Sequence, residues 1–222
     1  MLWAENLAAI ESEGRRLGGA VRRDPKRPVP QYPGWTLADL AAHTASIHGR
    51  TILICRELPA ERISAPRLPE GADPVGWYEE TLEMMLDTLE QADPETTAWA
   101  FGPRQNLGFW ERRMVIETGI HRWDAFRAWG DEDDLTLRVA ESGLDEFAEM
   151  WMPHLGEAPL PPLGLEATVI PRSWAYGEGQ PEATVAGTAS DLYLRLMSRP
   201  SSVQLPKEWE AAVDGLPPPP KR

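Results

Sequence analysis

The sequence predicts a mainly α-helical protein, in which a helical bundle is followed by a small α+β domain. Apolar residues recur at three- and four-residue spacing in five segments of the first two thirds of the chain. Proline- and glycine-rich stretches that cannot continue a helix separate these segments. After residue 155 the pattern changes to short runs of β-branched and aromatic residues, which predict strands. We therefore place the bundle at residues 1–155 and the α+β domain at residues 156–222.

Five segments with helical periodicity make up the predicted bundle. They cover residues 2–17, 36–58, 73–92, 107–129 and 135–155. Thr36 is the predicted N-cap of the second helix, because an aspartate three residues later completes a capping box. Asp73, followed by Pro74, has the pattern of an N-cap before the third helix. Gly130 ends the fourth helix, and the fifth ends near Pro153.

The last third of the chain has the pattern of a small mixed domain. Strands are predicted at residues 165–177, 182–187 and 201–205, a short amphipathic helix at 188–199, and a disordered or polyproline tail at 216–222. The proline-rich stretch 156–164 serves as the predicted linker between the two domains.

Composition excludes several classes of function. The net charge of −13 would repel nucleic acid and anionic membrane surfaces, so neither is an expected partner. The chain has no run of roughly 20 apolar residues that could span a bilayer, and its first residues do not resemble a secretory signal. The single cysteine, Cys55, excludes an internal disulfide and a CxxC zinc site, and we expect it to be buried. The sequence thus predicts a cytoplasmic protein, as a monomer or homodimer.

The fourth helix carries polar groups on an otherwise apolar face. One stripe of this helix contains Trp110, Met114, Glu117, His121, Asp124 and Ala128. An unpaired carboxylate in such a position would cost several kcal/mol, or its pKa would rise. Glu117 and His121, one turn apart, therefore require a partner.

The second helix has a similar feature, since His43 lies between Leu40 and Ile47 on its apolar face. His48 falls off that stripe and is expected to point less inward, and His154 is expected to be exposed. Two histidines and one glutamate from facing helices can bind a divalent metal and leave one coordination position open. A buried hydrogen-bonded pair on one helix is the structural alternative. Asp124, one turn beyond His121, is a candidate to orient that ligand or to bind solvent.

Three motifs resemble the mycothiol-dependent maleylpyruvate isomerase family, part of the DinB-like (YfiT-like) superfamily of metal enzymes. They are the stretch "VPQYPGWTLADLAAHTASIHGR", then "ETGIHRWDA", then "GTASDLYLRLMSR", in the family's order and across both predicted domains. The resemblance implies a DinB-like four-helix bundle with a small C-terminal α+β domain. It also implies a divalent ion, with zinc as the expected metal, held by His43, Glu117 and His121.

The resemblance further implies an enzyme that uses mycothiol, or a similar low-molecular-weight thiol, on a small-molecule substrate. The thiolate would add to a conjugated double bond, and rotation followed by loss of the thiol would give the trans isomer. The same site could transfer a thiol to an electrophile, or hydrolyse a substrate without thiol as a DinB-like metal hydrolase. A non-catalytic binding protein on the same bundle is a further alternative.

Arginines are the candidates for binding substrate carboxylates. Arg199 ends the predicted short helix of the second domain, and Arg195 lies one turn earlier. A solvated arginine at a helix C-terminus is the alternative for both. Arg122 points off the ligand stripe and is expected to be a surface charge or an ion pair. The sequence departs from the family at Tyr32, where relatives often have cysteine, so the pocket is expected to differ there.

Overall fold

The computed structural model describes residues 2–155 and 159–217, so the predicted tail and the first residues of the predicted linker lie largely outside the described residues. The helices are α1 (Leu2–Arg23), α2 (Leu37–Glu57), α3 (Pro74–Glu90), α4 (Leu107–Trp129), α5 (Leu137–Met150), α6 (Ala189–Leu196) and α7 (Lys207–Asp214). The strands are β1 (Leu163–Ala167), β2 (Ser173–Tyr176) and β3 (Ala183–Gly187). The protein is therefore mainly α-helical with one small sheet, as predicted.

The first compact unit ends at Asp134 and contains the four-helix bundle α1–α4. Local sequence signals determine where its helices begin and end. Thr36 and Asp39 form the predicted capping box of α2. The Asp73 side chain accepts a hydrogen bond from the amide of Gly76, in the first turn of α3. Gly130 adopts the left-handed conformation (φ 79°) that ends α4. In the bundle α1 packs against α4 and α2 against α3, and α2 also lies along α4.

The second compact unit begins at Leu135 and contains α5–α7 and the sheet. The domain boundary predicted near residue 155 lies after α5, whereas the contacts divide the chain before it. The reason is that α5 packs against α6 and β2: the Tyr176 hydroxyl donates to the carbonyl of Leu144, and Trp174 donates to Asp145. The amphipathic periodicity of α5 indicates a buried face but not which unit covers it.

The sheet has the order β2-β1-β3, with β1 antiparallel to β2 and parallel to β3. The strand predicted at 201–205 was wrong, because this segment forms no strand in the structure. Helix α7, which follows it, was not predicted. Its buried residues Trp209 and Val213 lie four positions apart in a short segment between prolines.

Within the described residues, no helix combines the length and the apolar character that crossing a membrane requires. Cys55 is half-buried rather than fully buried, and His154 is exposed as predicted.

Replacing Gly143 with alanine is expected to destabilise the second unit. A Cβ atom there would lie 2.3 Å from Cζ of Tyr193, whose ring is buried between α5 and α6. Overpacking of this kind costs about 1–3 kcal/mol, which denaturant unfolding would detect. Gly19→Ala is the matched control, because a Cβ at this exposed helical position meets no described atom within 4 Å. Equal stability of the two variants would contradict tight packing at the α5–α6 contact.

Candidate metal centre

Helices α2 and α4 bring His43, Glu117 and His121 together inside the first unit. Nε2 of His43 lies 3.3 Å from Oε1 of Glu117, and Nε2 of His121 lies 3.2 Å from the same oxygen. All three side chains are buried, and one ligand atom from each lies within 4.8 Å of the others. The sequence predicted this set, and the fold brings all three members to one point.

Asp124 fixes the orientation of one imidazole. Its Oδ2 lies 3.0 Å from Nδ1 of His121, and the carboxylate is fully buried. If Nδ1 donates to Asp124, then Nε2 is the ring nitrogen that faces the cluster, where it can bind a metal ion in place of a second proton. Asp124 therefore occupies the place of an orienting residue rather than of a fourth member of the cluster.

The electrostatics of the cluster keep Glu117 ionised. Burial alone would raise the pKa of its carboxyl, but the Arg113 guanidinium and hydrogen bonds from His121 and His43 hold it well below its usual range. For His121, burial lowers the pKa, yet the hydrogen bonds to Asp124 and Glu117 outweigh it and raise the pKa above 6.5. A proton and a metal ion therefore compete for His121.

Two aromatic rings line the cluster from the turn that precedes α2. The ring of Trp35 lies 5.4 Å from that of His43, and the ring of Tyr32 lies 6.1 Å from that of His121. The turn is fixed by its own hydrogen bonds, with the Trp35 amide donating to Tyr32 and the Val29 amide donating to Trp35. Gly34 supplies the positive φ of 83° that the turn needs. Both rings are buried, so an apolar surface lies on this side of the two imidazoles.

The donor set fits a divalent ion. Two imidazole nitrogens and one carboxylate oxygen are ligands that zinc takes in catalytic sites with three protein ligands. The two Nε2 atoms converge on one carboxylate oxygen, and Nδ1 of His121 lies within hydrogen-bond distance of Asp124. That these residues bind a metal stays a prediction.

His48 lies inside the bundle, so the expectation that it points less inward was wrong. Its side chain is fully buried, and Nε2 lies 3.0 Å from Oγ1 of Thr118 on α4. Its ring also lies 5.7 Å from that of Tyr78 on α3. The five-residue offset from His43 turns it toward the other side of α2, and α3 and α4 cover that side as well.

Burial lowers the pKa of His48 from 6.5 to about 3, because little compensates the desolvation of the charged form. The unfolded chain therefore binds a proton below pH 6.5 that the folded chain excludes, and His48 costs stability as the pH falls from 6.5 toward 3. We expect this contribution to change by about 1.4 kcal/mol per pH unit in that window. In His48→Gln, the free energy of unfolding should therefore fall less steeply over this pH range than in the unsubstituted protein. Denaturant unfolding of the metal-free proteins at several pH values measures the difference.

His154→Gln is the control for this measurement, because His154 is exposed. Its unfolding free energy should follow that of the unsubstituted protein at every pH. A difference between His48→Gln and the unsubstituted protein that does not vary with pH would contradict a neutral buried imidazole.

Arg122, predicted as a surface charge or an ion pair, is a fully buried ion pair. Its Nε donates to Oε2 of Glu13 on α1 at 2.5 Å, and the Glu13 side chain is only 1% exposed. Its two terminal nitrogens donate to Asp133 and to the carbonyl of Asp134. Arg122 thus ties α4 to α1 and to the end of the first unit, and the surface alternative was wrong.

The two candidate arginines of the second unit differ in their surroundings. Arg195 is paired with Asp214 at 2.9 Å and with Glu210 at 3.5 Å, so carboxylates of its own unit already neutralise it. Arg199 is buried, and its Nη1 donates to the carbonyl of Met197 at 3.0 Å. A role for Arg199 in binding substrate stays a prediction.

Comparison with known proteins gives a family match and a fold match. Residues 7–126 match the profile described as "Mycothiol maleylpyruvate isomerase N-terminal domain". This range includes all of α2 and α3, most of α4, and the three residues of the cluster. A comparison with curated proteins found no match.

Two solved structures resemble this chain along most of its length. One is the crystal structure of the mycothiol-dependent maleylpyruvate isomerase, with 14% identity, a TM-score of 0.70, and coverage of 92% of this chain and 95% of that one. The other is a histidine-to-alanine mutant of that isomerase, with the same identity and coverage and a TM-score of 0.71. At this identity the two structures establish the shared fold alone.

Proposed function

The chain belongs to the mycothiol maleylpyruvate isomerase family, and on that premise we propose that it is a metal-dependent, thiol-using isomerase or S-transferase. Its substrate would be a small unsaturated or electrophilic acid. The observation that supports this proposal best is the convergence of two imidazole nitrogens on one oxygen of Glu117, inside the bundle. Burying three ionisable side chains at one point carries a desolvation cost, which a bound metal ion would offset.

We assign His43, Glu117 and His121 as the residues that would hold the metal, with zinc as the expected ion. When bound there, the ion would stabilise the thiolate form of a thiol, which is the nucleophilic form. Asp124, whose Oδ2 lies 3.0 Å from Nδ1 of His121, would hold the imidazole proton on Nδ1, so that Nε2 could bind the ion. Trp35 and Tyr32 would keep water from the imidazole side of the site.

The isomerisation needs a bond to form and then to break at sulfur. The thiolate would add to a carbon of the conjugated double bond, and the π electrons would move to the conjugated carbonyl oxygen. After rotation about the resulting single bond, the same electrons would return, the double bond would re-form, and the C–S bond would break. The thiolate is regenerated, so the reaction needs no oxidant or reductant.

Arg199 is the residue that we propose for binding a substrate carboxylate. A guanidinium can hold a carboxylate with two parallel hydrogen bonds, and a buried guanidinium does so in a low dielectric. Arg195 is the weaker candidate, because it is only half-buried, whereas Arg199 is buried.

The proposal is tested by the thiol dependence of turnover. Zinc-loaded protein would be incubated with maleylpyruvate, with and without mycothiol, and isomerisation followed by absorbance. We expect maleylpyruvate to be isomerised only when mycothiol is present. Arg199→Met should raise the KM for maleylpyruvate more than Arg195→Met does. Hydrolysis of ester or amide substrates without thiol, and no thiol-dependent reaction with unsaturated or electrophilic acids, would contradict the proposal and favour a metal hydrolase.

A further inference from the structure

The two oxygens of Glu117 face different partners. Oε1 lies 3.3 Å from Nε2 of His43 and 3.2 Å from Nε2 of His121. Oε2 instead accepts a hydrogen bond from Nη2 of Arg113, which lies one turn earlier on α4. One oxygen is thus directed into the cluster while the other is held by a cation.

The contact between Arg113 and Glu117 differs from an ordinary pair on a helix surface. Exposed pairs at this spacing contribute little, because water screens them and both side chains remain mobile. Here the Arg113 side chain is 11% exposed and that of Glu117 is 7% exposed. A charge-assisted hydrogen bond in such surroundings is short and directional, so it can fix the rotation of the carboxylate.

We infer that Arg113 is a positioning residue of the metal site, which holds Glu117 with Oε1 turned to the two imidazoles. The inference rests on the proposed metal site and assigns a further residue to it. Asp124 orients one ligand, His121, by contacting Nδ1, the ring nitrogen that does not face Glu117. Arg113 orients a second ligand, Glu117, by donating to Oε2, the oxygen that does not face the imidazoles. Both ligands that α4 supplies would then be oriented by residues of the same helix.

Loss of Arg113 should therefore act on the affinity for metal. Without the guanidinium, the Glu117 carboxylate can rotate about its terminal torsion, which is intrinsically broad. Metal binding would then have to restrict the Glu117 carboxylate to one orientation, which costs free energy. Residues that orient metal ligands typically change metal affinity by about 10–100-fold when they are removed.

The test compares the Zn²⁺ affinity of Arg113→Met and Arg113→Lys with that of the unsubstituted protein. Metal-free protein would be titrated with Zn²⁺ in competition with a chromogenic chelator. We expect Arg113→Met to bind zinc about 10–100-fold more weakly. Arg113→Lys keeps the charge but loses the planar fork, so it should be weaker by about 3–10-fold. Arg112→Met, at the neighbouring arginine, which is also half-buried, should bind zinc as the unsubstituted protein does.

Unfolding of the metal-free variants separates positioning from folding, because a purely structural residue would lower stability without a specific loss of affinity in the folded fraction. Unchanged zinc affinity in Arg113→Met would overturn the inference, as would an equal loss in Arg112→Met. If Arg113→Met does not fold, Arg113→Lys decides, and affinity equal to that of the unsubstituted protein would overturn the inference. Failure of the unsubstituted protein to bind zinc would instead contradict the proposed function itself.

Discussion

His121→Ala should lose nearly all bound metal. The substitution removes one of three ligands and leaves Glu117 beside a single imidazole, at 3.3 Å. A site with two protein ligands does not retain zinc as three do, so the content should fall from about one ion per chain to below about 0.1. Mass spectrometry of the purified protein measures this directly.

His154→Ala is the matched control for this loss, because it removes an exposed histidine far along the chain. Its metal content should equal that of the unsubstituted protein. Full metal content in His121→Ala would contradict the assigned ligand set, and equal losses in both variants would indicate adventitious surface binding.

Arg122→Met should lower the free energy of unfolding by about 3–5 kcal/mol, the usual cost of leaving one member of a buried ion pair alone. The substitution leaves the Glu13 carboxylate, 1% exposed, without the guanidinium that lies 2.5 Å from it. Among the described residues Arg16 also lies near Glu13, but at 4.0 Å it is too distant to donate a hydrogen bond. Urea unfolding followed by circular dichroism measures the change.

The double variant Glu13→Leu, Arg122→Met tests the cause of this loss. Replacing both members of a buried pair with apolar residues of similar volume is often nearly neutral. The double variant should therefore recover much of the stability that Arg122→Met loses. If the double variant is as unstable as the single one, the loss comes from packing or from the contacts to Asp133 and Asp134, and not from a stranded charge.

The helix boundaries of the bundle could be predicted because local chemistry sets them. Thr36 and Asp39 satisfy free amides at the start of α2 with their own side chains, and Gly130 takes a conformation that other residues avoid. Such signals act over a few residues and need no knowledge of the fold. The unit to which α5 belongs could not be predicted in this way, because it depends on partners more than 25 residues away in the sequence, such as Tyr176 and Tyr193.

The ligand set could be predicted in part. Helical periodicity alone places Glu117 and His121 on one stripe of α4. It also places His43 on the apolar face of α2, but it does not show that this face lies against the stripe of α4. The family resemblance strengthened the grouping of the three residues into one ligand set. Periodicity also misjudged His48, because a helix packed against two neighbours buries more than one stripe. The Arg113 contact had a signal in its four-residue spacing from Glu117, but this spacing occurs equally in exposed pairs.

An anomalous-diffraction map recorded at the zinc absorption edge, on crystals grown from zinc-loaded protein, tests the metal centre most directly. We expect one strong peak about 2.0–2.2 Å from Nε2 of His43, Oε1 of Glu117 and Nε2 of His121. A map with no peak at these three atoms, or with its strongest peak at another group, would contradict the metal centre and leave Glu117 as a buried partner of Arg113 and the two histidines.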